Sequence, residues 1–173
     1  MKTERRSRLP VSIIMPVRNE SRYLVQCLES ILANDFEKED YEILVVDGLS
    51  EDGTRVIAES FRTKHPDLRV IENPERTAPS AMNRGLREAR GEIIIRIDGH
   101  GEVAPDFIRK TVETFDSVPE AGSVGGQIEP KGKTLTGRAI ALAQASFFGG
   151  GGGSWYRERR AGFTDTVLNA AYR

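Results

Sequence analysis

The sequence has little cysteine, little histidine and no long hydrophobic run. Cys27 is the single cysteine, so no internal disulfide can form, and its apolar neighbours at helical spacing predict a small core residue. No apolar run approaches the roughly 18 residues that a membrane-spanning helix needs. The 25 Lys and Arg nearly balance the 26 Asp and Glu, giving a net charge of −1 and no general electrostatic case for nucleic acid binding.

The first nine residues are polar and basic, with positive charges at Lys2, Arg5, Arg6 and Arg8. No apolar stretch follows that would make a signal peptide. We therefore expect a flexible basic tail over residues 1–9 and a cytoplasmic protein. The tail could contact anionic lipid at the inner face of the plasma membrane, as a peripheral association.

Short apolar segments alternate with amphipathic ones along the rest of the chain. The predicted strands are 11–15 (ended by Pro16), 41–46, 68–72, one within 92–98 and a short one at 123–126. Helices are predicted from Glu20, from Ser50 to about Phe61, around Pro79 up to Gly91, from about Pro105, and over 135–145. Strands that are apolar on both faces and alternate with helices indicate a parallel sheet covered on both sides.

Two details of these helices are specific predictions. Ser50 is expected to cap the second helix, because a serine hydroxyl can accept from a free amide of the first turn. In the third helix, the spacing of Met82, Leu86 and Ala89 predicts the face that packs on the sheet.

Polar residues gather where three predicted strands end. Residues 18–20 (Arg-Asn-Glu) follow the first strand, Asp47 ends the second, and Asp98 and His100 follow the fourth. Each could be an ordinary turn or cap, but parallel strands end at one edge, where open α/β sheets bind ligands. No G-x-G-x-x-G follows the first strand, and no P-loop or nucleophile elbow is present.

Four segments, VSIIMPVRNE, ILVVDGLSEDGT, APSAMNRGLREARGEIIIRIDGH and VGG, resemble in order and spacing the family 2 glycosyltransferases. The closer resemblance is to succinoglycan-type glucosyltransferases of bacterial exopolysaccharide synthesis, which share the Asp-x-His variant and a stretch like FFGGGGGSWYR…DTV. The resemblance covers about residues 10–173. It implies an α/β nucleotide-diphospho-sugar transferase (GT-A) fold: a single domain over 10–173, with a Rossmann-like, mainly parallel sheet and helices on both faces.

The resemblance also implies roles for individual residues in binding a nucleotide-sugar, with a UDP-sugar expected. Asp47 would accept a hydrogen bond from a uracil N–H, and Asp98 would face the ribose and the metal. The other implied donor-site residues are Pro16, Val17, Arg18, Asn19 and Glu20 around the base, Arg76 and Asn83 along the pocket, and Gly125 and Gly126 beside the sugar.

The expected cofactor is a divalent metal, Mn²⁺ or Mg²⁺, bound by Asp98 and His100. His100 replaces the second carboxylate of the family's Asp-x-Asp pattern, and neutral imidazole is a ligand that suits Mn²⁺. Gly99 between them is expected to let both side chains share one metal–diphosphate site.

The expected reaction is sugar transfer to a glycan or lipid-linked saccharide in cell-surface polysaccharide synthesis. The general base is expected beyond the position of Arg173, in a C-terminal part that this chain lacks. Asp165 is the late acidic candidate within the chain, and the alternative for it is an ordinary loop or cap residue. One alternative is a nucleotide-sugar-binding module without transfer activity. A sugar-nucleotide pyrophosphorylase is disfavoured, because residues 16–20 replace the glycine-rich, lysine-bearing loop of such enzymes.

Overall fold

The computed structural model of the chain describes residues 11–126, 129–132, 134–146, 162 and 170–173. Two compact units divide the chain: Met1–Val124 with Asn169–Arg173, and Gly125–Leu168. Within the described residues, no helix combines the length and apolar composition needed to cross a bilayer.

The first unit is built on a sheet that has six strands within the described ranges. These are β1 (Val11–Val17), β2 (Tyr41–Asp47), β3 (Leu68–Glu72), β4 (Ile93–Arg96), β5 (Ser123–Val124) and β6 (Ala171–Tyr172). Their order across the sheet is β3-β2-β1-β4-β6-β5. Strands β1 to β4 pair in parallel, whereas β6 runs antiparallel to both β4 and β5. The prediction of a mainly parallel α/β sheet is confirmed.

Four helices of the first unit cover this sheet. They are α1 (Leu24–Leu32), α2 (Thr54–Arg62), α3 (Ala78–Glu88) and α4 (Phe107–Ser117), and a short 3-10 turn at Lys38–Asp40 precedes β2. The larger core lies between one face of the sheet and α1, α2 and α4, where Ile13, Cys27 and Phe115 are fully buried. Burial of each large apolar side chain contributes about 1.5–3 kcal/mol, so this face contains most of the hydrophobic stabilisation.

Helix α3 packs on the opposite face through its smallest residues. Ala81 and Gly85 are buried, and a Cβ at Gly85 would lie 2.5 Å from Ile14 Cγ2. The prediction that Leu86 faces the sheet is wrong, because Leu86 is 49% exposed. The close approach that Gly85 permits turns the small residues inward, while Met82 and Ala89 pack partly buried at the edge of this contact.

Strand β1 continues through Pro16 to Val17, so the prediction that Pro16 ends it is wrong. Pairing with β4 extends only as far as Ile14, whereas pairing with β2 includes Pro16 opposite Val46. Pro16 therefore lies where β1 has a neighbour on one side only, and there a missing amide N–H disrupts no ladder.

The amino edge of the sheet is closed by a buried polar cluster. Ser12 Oγ donates to Glu42 Oε1 at 2.7 Å and accepts from the Gly91 amide at 2.8 Å. Glu42 also accepts from the Arg90 amide at 2.7 Å, and Arg69 Nη1 lies 3.6 Å from its second oxygen. These contacts neutralise a buried carboxylate, so polar side chains at this edge serve the fold.

The second unit contains α5 (Leu135–Ala145), at the position predicted for it. Thr134 caps this helix, since its side chain accepts from the Gly137 amide at 3.0 Å. Leu135, Ile140 and Leu142 are exposed.

Candidate functional site

A cleft of about 250 Å³ opens at the carboxyl edge of the sheet, within the first unit. The loops that follow β1, β2 and β3, together with the end of β4, form its walls, and α3 contributes its first turns. The lining residues are Pro16, Val17, Arg18, Glu20, Gly48, Asn73, Arg76, Thr77, Ala78, Ala81, Arg96, Asp98 and His100. The polar clusters that follow the first and fourth strands in the sequence therefore meet in one cleft.

Hydrogen bonds join the loop after β1 to the loop after β2. The Glu20 amide donates to Thr54 Oγ1 at 2.7 Å, and the Ser21 amide donates to Asp52 Oδ2 at 3.0 Å. Thr54, which is fully buried, donates its hydroxyl to Asp52 Oδ1. The two loops are thus fixed to each other through buried or charged partners, and this rigidity positions Glu20.

Asp52 is the charged end of this network. Burial alone would raise the pKa of its carboxyl group, but hydrogen bonds from Thr54 and Ser21 outweigh it and hold the pKa of Asp52 well below its usual range. A carboxylate that accepts several donors is stabilised in its ionised form. The network is therefore intact at neutral pH.

Asp47 ends β2 in a fully buried position. Its carboxylate accepts the Ser50 hydroxyl at 2.5 Å and the Ser50 amide at 3.3 Å. Ser50 in turn accepts the Asn19 amide at 2.9 Å. The prediction that Ser50 caps α2 is wrong, because Asp47 engages its hydroxyl and α2 begins at Thr54, after Gly53 in the left-handed region (φ 92°).

Three residues other than glycine adopt left-handed backbone conformations in the loops at this edge. They are Asn19 (φ 56°), Leu49 (φ 54°) and Arg76 (φ 58°). Such conformations cost of order 1–3 kcal/mol each and persist where surrounding contacts enforce them. Asn19 is held in this way, because its side-chain oxygen accepts the Glu51 amide at 2.9 Å. Within the part of the chain that the structure describes, positive φ values at residues other than glycine occur only in these loops.

Two pairs of interacting side chains lie in the cleft, one at the end of β4 and one between the loops that follow β4 and β1. Arg96 donates from Nε and Nη2 to Asp98 Oδ1, each at 2.9 Å. His100 Nδ1 lies 2.8 Å from Glu20 Oε1. Gly99, between Asp98 and His100, is buried, and a Cβ there would lie 2.8 Å from Val17 Cγ1 and 3.2 Å from Glu20 Cγ. A glycine is needed because the turn packs directly on the end of β1.

Asn73 and Arg96 are site residues that the sequence reasoning missed. Asn73 is 1% exposed; its side chain donates to the Thr77 carbonyl at 3.0 Å and accepts the Ser80 hydroxyl at 2.9 Å. These bonds shape the turn that carries Arg76. Arg96 had a readable signal, because it lies two residues before Asp98, and alternate residues of a strand share a face.

The family pattern described as Glycosyl transferase family 2 matches residues 12–164. The chain belongs to glycosyl transferase family 2. Its resemblance to that family in the sequence is therefore confirmed.

The names of two curated relatives of this family 2 domain refer to a dolichyl phosphate sugar and to succinoglycan biosynthesis. The dolichyl N-acetyl-alpha-D-glucosaminyl phosphate 3-beta-D-2,3-diacetamido-2,3-dideoxy-beta-D-glucuronosyltransferase of Methanococcus voltae is 30% identical over 94% of this chain and 52% of its own length. Succinoglycan biosynthesis protein ExoA of Rhizobium meliloti is 33% identical over 81% of this chain and 42% of its own. The chain thus spans about half the length of these relatives.

Solved structures share the fold. Staphylococcus aureus TarS 1–349 in complex with UDP-GlcNAc has a TM-score of 0.63 and 25% identity, over 73% of this chain and 36% of that one. The mannosyltransferase PcManGT of Pyrobaculum calidifontis, in complex with GDP-Man and Mn²⁺, has a TM-score of 0.65 and 30% identity, over 80% and 41%. The predicted GT-A fold is confirmed.

The residues predicted from the family pattern do not all line the cleft. Those that line the cleft are Pro16, Val17, Arg18, Glu20, Arg76, Asp98 and His100. Asn19 and Asp47 do not line it, although each is hydrogen-bonded to Ser50, and Asn83 is exposed on α3 outside the lining. Gly125 and Gly126 belong to the second unit. Asp165 lies outside the described residues.

Proposed function

We propose that this family 2 domain binds a nucleotide-sugar, with a UDP-sugar as the preferred donor, for inverting transfer to a glycan or lipid-linked saccharide. The observation that carries the proposal is the charge of the cleft. Among the described residues that line it, the arginines Arg18, Arg76 and Arg96 outnumber the two carboxylates, Glu20 and Asp98. Guanidinium groups suit phosphate oxygens, so the cleft fits a diphosphate.

The preference for uridine is proposed from Asp47. Asp47 is fully buried beside the lining residue Gly48, and in the bound state its carboxylate would accept from the N–H of uracil and repel the acceptor ring nitrogens of adenine. Uridine binding would exchange one of the Ser50 hydrogen bonds to Asp47 for this contact. PcManGT was solved with GDP-Man, so guanine is the competing base to be tested.

The residues in the cleft fit a divalent metal held jointly with a diphosphate. Among the described residues, no three His, Cys, Asp or Glu side chains are grouped to hold a metal alone. Mg²⁺ and Mn²⁺ sites of this kind use one or two protein ligands and complete the shell with phosphate oxygens and water. Asp98 would supply an oxygen and His100 its Nε2, since Nδ1 faces Glu20, and a carboxylate partner of this kind orients metal-binding histidines.

When bound, the metal would supply Lewis-acid neutralisation of the leaving diphosphate. The chain's own residues do the rest. Arg18 and Arg76 bind and orient the phosphates, and Glu20 holds the His100 ring. A general base must also lie within hydrogen-bond reach of the acceptor hydroxyl. Asp165 and a residue beyond position 173 stay the two predicted sources of that base.

Calorimetry with UDP, GDP, ADP and the matching nucleotide-sugars, with and without Mn²⁺, tests the donor proposal. We expect UDP and a UDP-sugar to bind tightest, with enhancement by Mn²⁺. Asp47→Ala should weaken UDP binding by about 1.5–3 kcal/mol, the scale of a charge-assisted hydrogen bond. The control is Asp35→Ala, which removes a surface ion pair between Asp35 and Arg109 of α4. Equal affinity of the unaltered chain for UDP and ADP would contradict the proposal.

Transfer is tested with a radiolabelled donor and a lipid-linked oligosaccharide. We expect residues 1–173 to bind the donor, and a chain without a general base in reach of the acceptor would transfer about 10²–10⁴-fold more slowly. Fast turnover that Asp165→Asn abolishes would instead identify Asp165 as the base. We propose that the reaction takes place at the inner face of the plasma membrane, and sedimentation with anionic vesicles tests whether the basic tail contributes.

A further inference from the structure

Arg96 precedes the proposed metal ligand, Asp98, at the carboxyl end of β4. Arg96 is the last residue of β4, and Asp98 follows two residues later, so both side chains project from the same face of the strand. Ile95 and Ile97 project from the other face and are buried in the larger core. The strand therefore fixes where Arg96 and Asp98 lie.

Arg96 occupies one of the two carboxylate oxygens with which Asp98 could hold a metal. Two of its N–H groups converge on Asp98 Oδ1, at 2.9 Å each. The second carboxylate of the cleft, Glu20, is engaged with the His100 ring. A divalent cation that approaches Asp98 without nucleotide must therefore compete with a guanidinium group and also experiences its positive charge.

A bound diphosphate would change the competition between the metal ion and Arg96 for Asp98. Its negative charges would offset the guanidinium charge beside the metal and offer Arg96 a new anionic partner in the same cleft. The pair is also accessible for such an exchange, because the side chains of Arg96 and Asp98 are 41% and 30% exposed. Release of Asp98 by Arg96 then requires no repacking of the core.

We propose that Arg96 makes metal binding and nucleotide binding mutually dependent. Without nucleotide, Arg96 holds Asp98; when a diphosphate binds, Arg96 pairs with the diphosphate and releases Asp98 to the metal. The inference rests on the proposed function, because it requires a metal–diphosphate site at Asp98. It assigns Arg96 as a positioning residue that acts through Asp98. Thermodynamic coupling is reciprocal, so the factor by which the metal increases the affinity for nucleotide equals the factor by which nucleotide increases the affinity for the metal.

The test measures Mn²⁺ binding in the absence of nucleotide, by electron paramagnetic resonance of the free ion, for the unaltered chain and Arg96→Gln. Calorimetry then gives UDP affinity with and without saturating Mn²⁺. We expect Arg96→Gln to bind Mn²⁺ alone about fivefold tighter, the effect of one partly exposed ion pair. The factor by which Mn²⁺ strengthens UDP binding should fall by about the same amount.

The matched control is Arg109→Gln. Arg109 pairs with Asp35 at 3.0 Å and is 38% exposed, close to the exposure of Arg96, but it lies on α4 outside the cleft lining. We expect it to change neither quantity. Arg96→Lys, which keeps the charge with a different donor geometry, should fall between the unaltered chain and Arg96→Gln, and thermal melting verifies that each variant is folded.

Unchanged or weaker Mn²⁺ binding in Arg96→Gln, with an unchanged Mn²⁺ enhancement of UDP binding, would overturn the inference while leaving the donor site intact. If Arg96→Gln does not fold, the same comparison with Arg96→Lys decides. A chain that binds no nucleotide at all, with or without Mn²⁺, would instead refute the proposed function. The two failures are therefore distinguishable in one set of titrations.

Discussion

Thr54→Val tests whether the contact between the two loops determines the geometry of the cleft. The substitution keeps the shape of a fully buried side chain and removes its hydroxyl. That hydroxyl accepts the Glu20 amide at 2.7 Å and donates to Asp52 Oδ1 at 2.5 Å. The variant therefore loses one neutral and one charge-assisted hydrogen bond.

The expected loss of stability follows from these two bonds. An amide left without an acceptor in a partly buried position costs about 1–3 kcal/mol, and a hydrogen bond to a charged group contributes about 1.5–3 kcal/mol. Asp52 keeps the amides of Ser21 and Thr54, and valine adds a buried methyl group, which together reduce the loss. We expect a net decrease of about 2–3 kcal/mol in the free energy of unfolding.

Urea unfolding followed by circular dichroism measures this difference, and an unchanged m-value verifies that the transition itself is unaltered. A second readout is Mn²⁺-enhanced UDP binding, which should fall because Glu20 is fixed by Thr54 and faces His100. The control is Thr114→Val, whose exposed hydroxyl donates within its own helix to the Lys110 carbonyl at 2.7 Å. The reasoning would be refuted if Thr54→Val and Thr114→Val lowered the free energy of unfolding equally, each by less than about 0.5 kcal/mol.

Three further predictions concern the same region. Because the folded-state pKa of Asp52 is lowered, its ionised carboxylate contributes to the free energy of unfolding above the unfolded-state pKa of about 4. This contribution is lost as pH falls below that value, so the difference in stability between the unaltered chain and Asp52→Asn should shrink between pH 7 and pH 3. Burial and the nearby charge of Glu20 raise the pKa of Cys27 to about 12, so this thiol should resist dithionitrobenzoate at pH 8 until the chain is unfolded. Gly99→Ala should cost about 1–3 kcal/mol and reduce Mn²⁺-dependent UDP binding, whereas Gly122→Ala, where a Cβ meets nothing within 4 Å, should change neither; equal unfolding midpoints for the two variants would contradict the steric argument.

The alternation of strands and helices could be predicted because it rests on periodicity. Strand β3 and helix α5 have the predicted bounds, and the edge where Asp98 and His100 meet Glu20 follows from parallel topology alone. These features depend on patterns of five or more residues, in which a single exception changes little.

Features set by a single tertiary contact were not predictable. The inward face of α3 depends on how closely Gly85 approaches Ile14, which no helical pattern encodes. The left-handed backbone at Leu49 and Arg76 contradicts the ordinary preference of those residues and results from loops held at both ends. The pairing of Arg96 with Asp98 needed only the strand period, and the apolar run around it concealed that signal.

The position of β6 has a consequence for the order in which this sheet assembles. β6 lies between β4 and β5, although residues 125–170 separate it from β5 in the chain. During synthesis, β1 to β4 can pair and form the cleft at the carboxyl edge while Ala171 and Tyr172 are still untranslated. Until β6 arrives, β4 has an unpaired edge of backbone amides and carbonyls, which is open to pairing with another chain. The nascent domain would therefore pass through an aggregation-prone stage in which its cleft is already assembled.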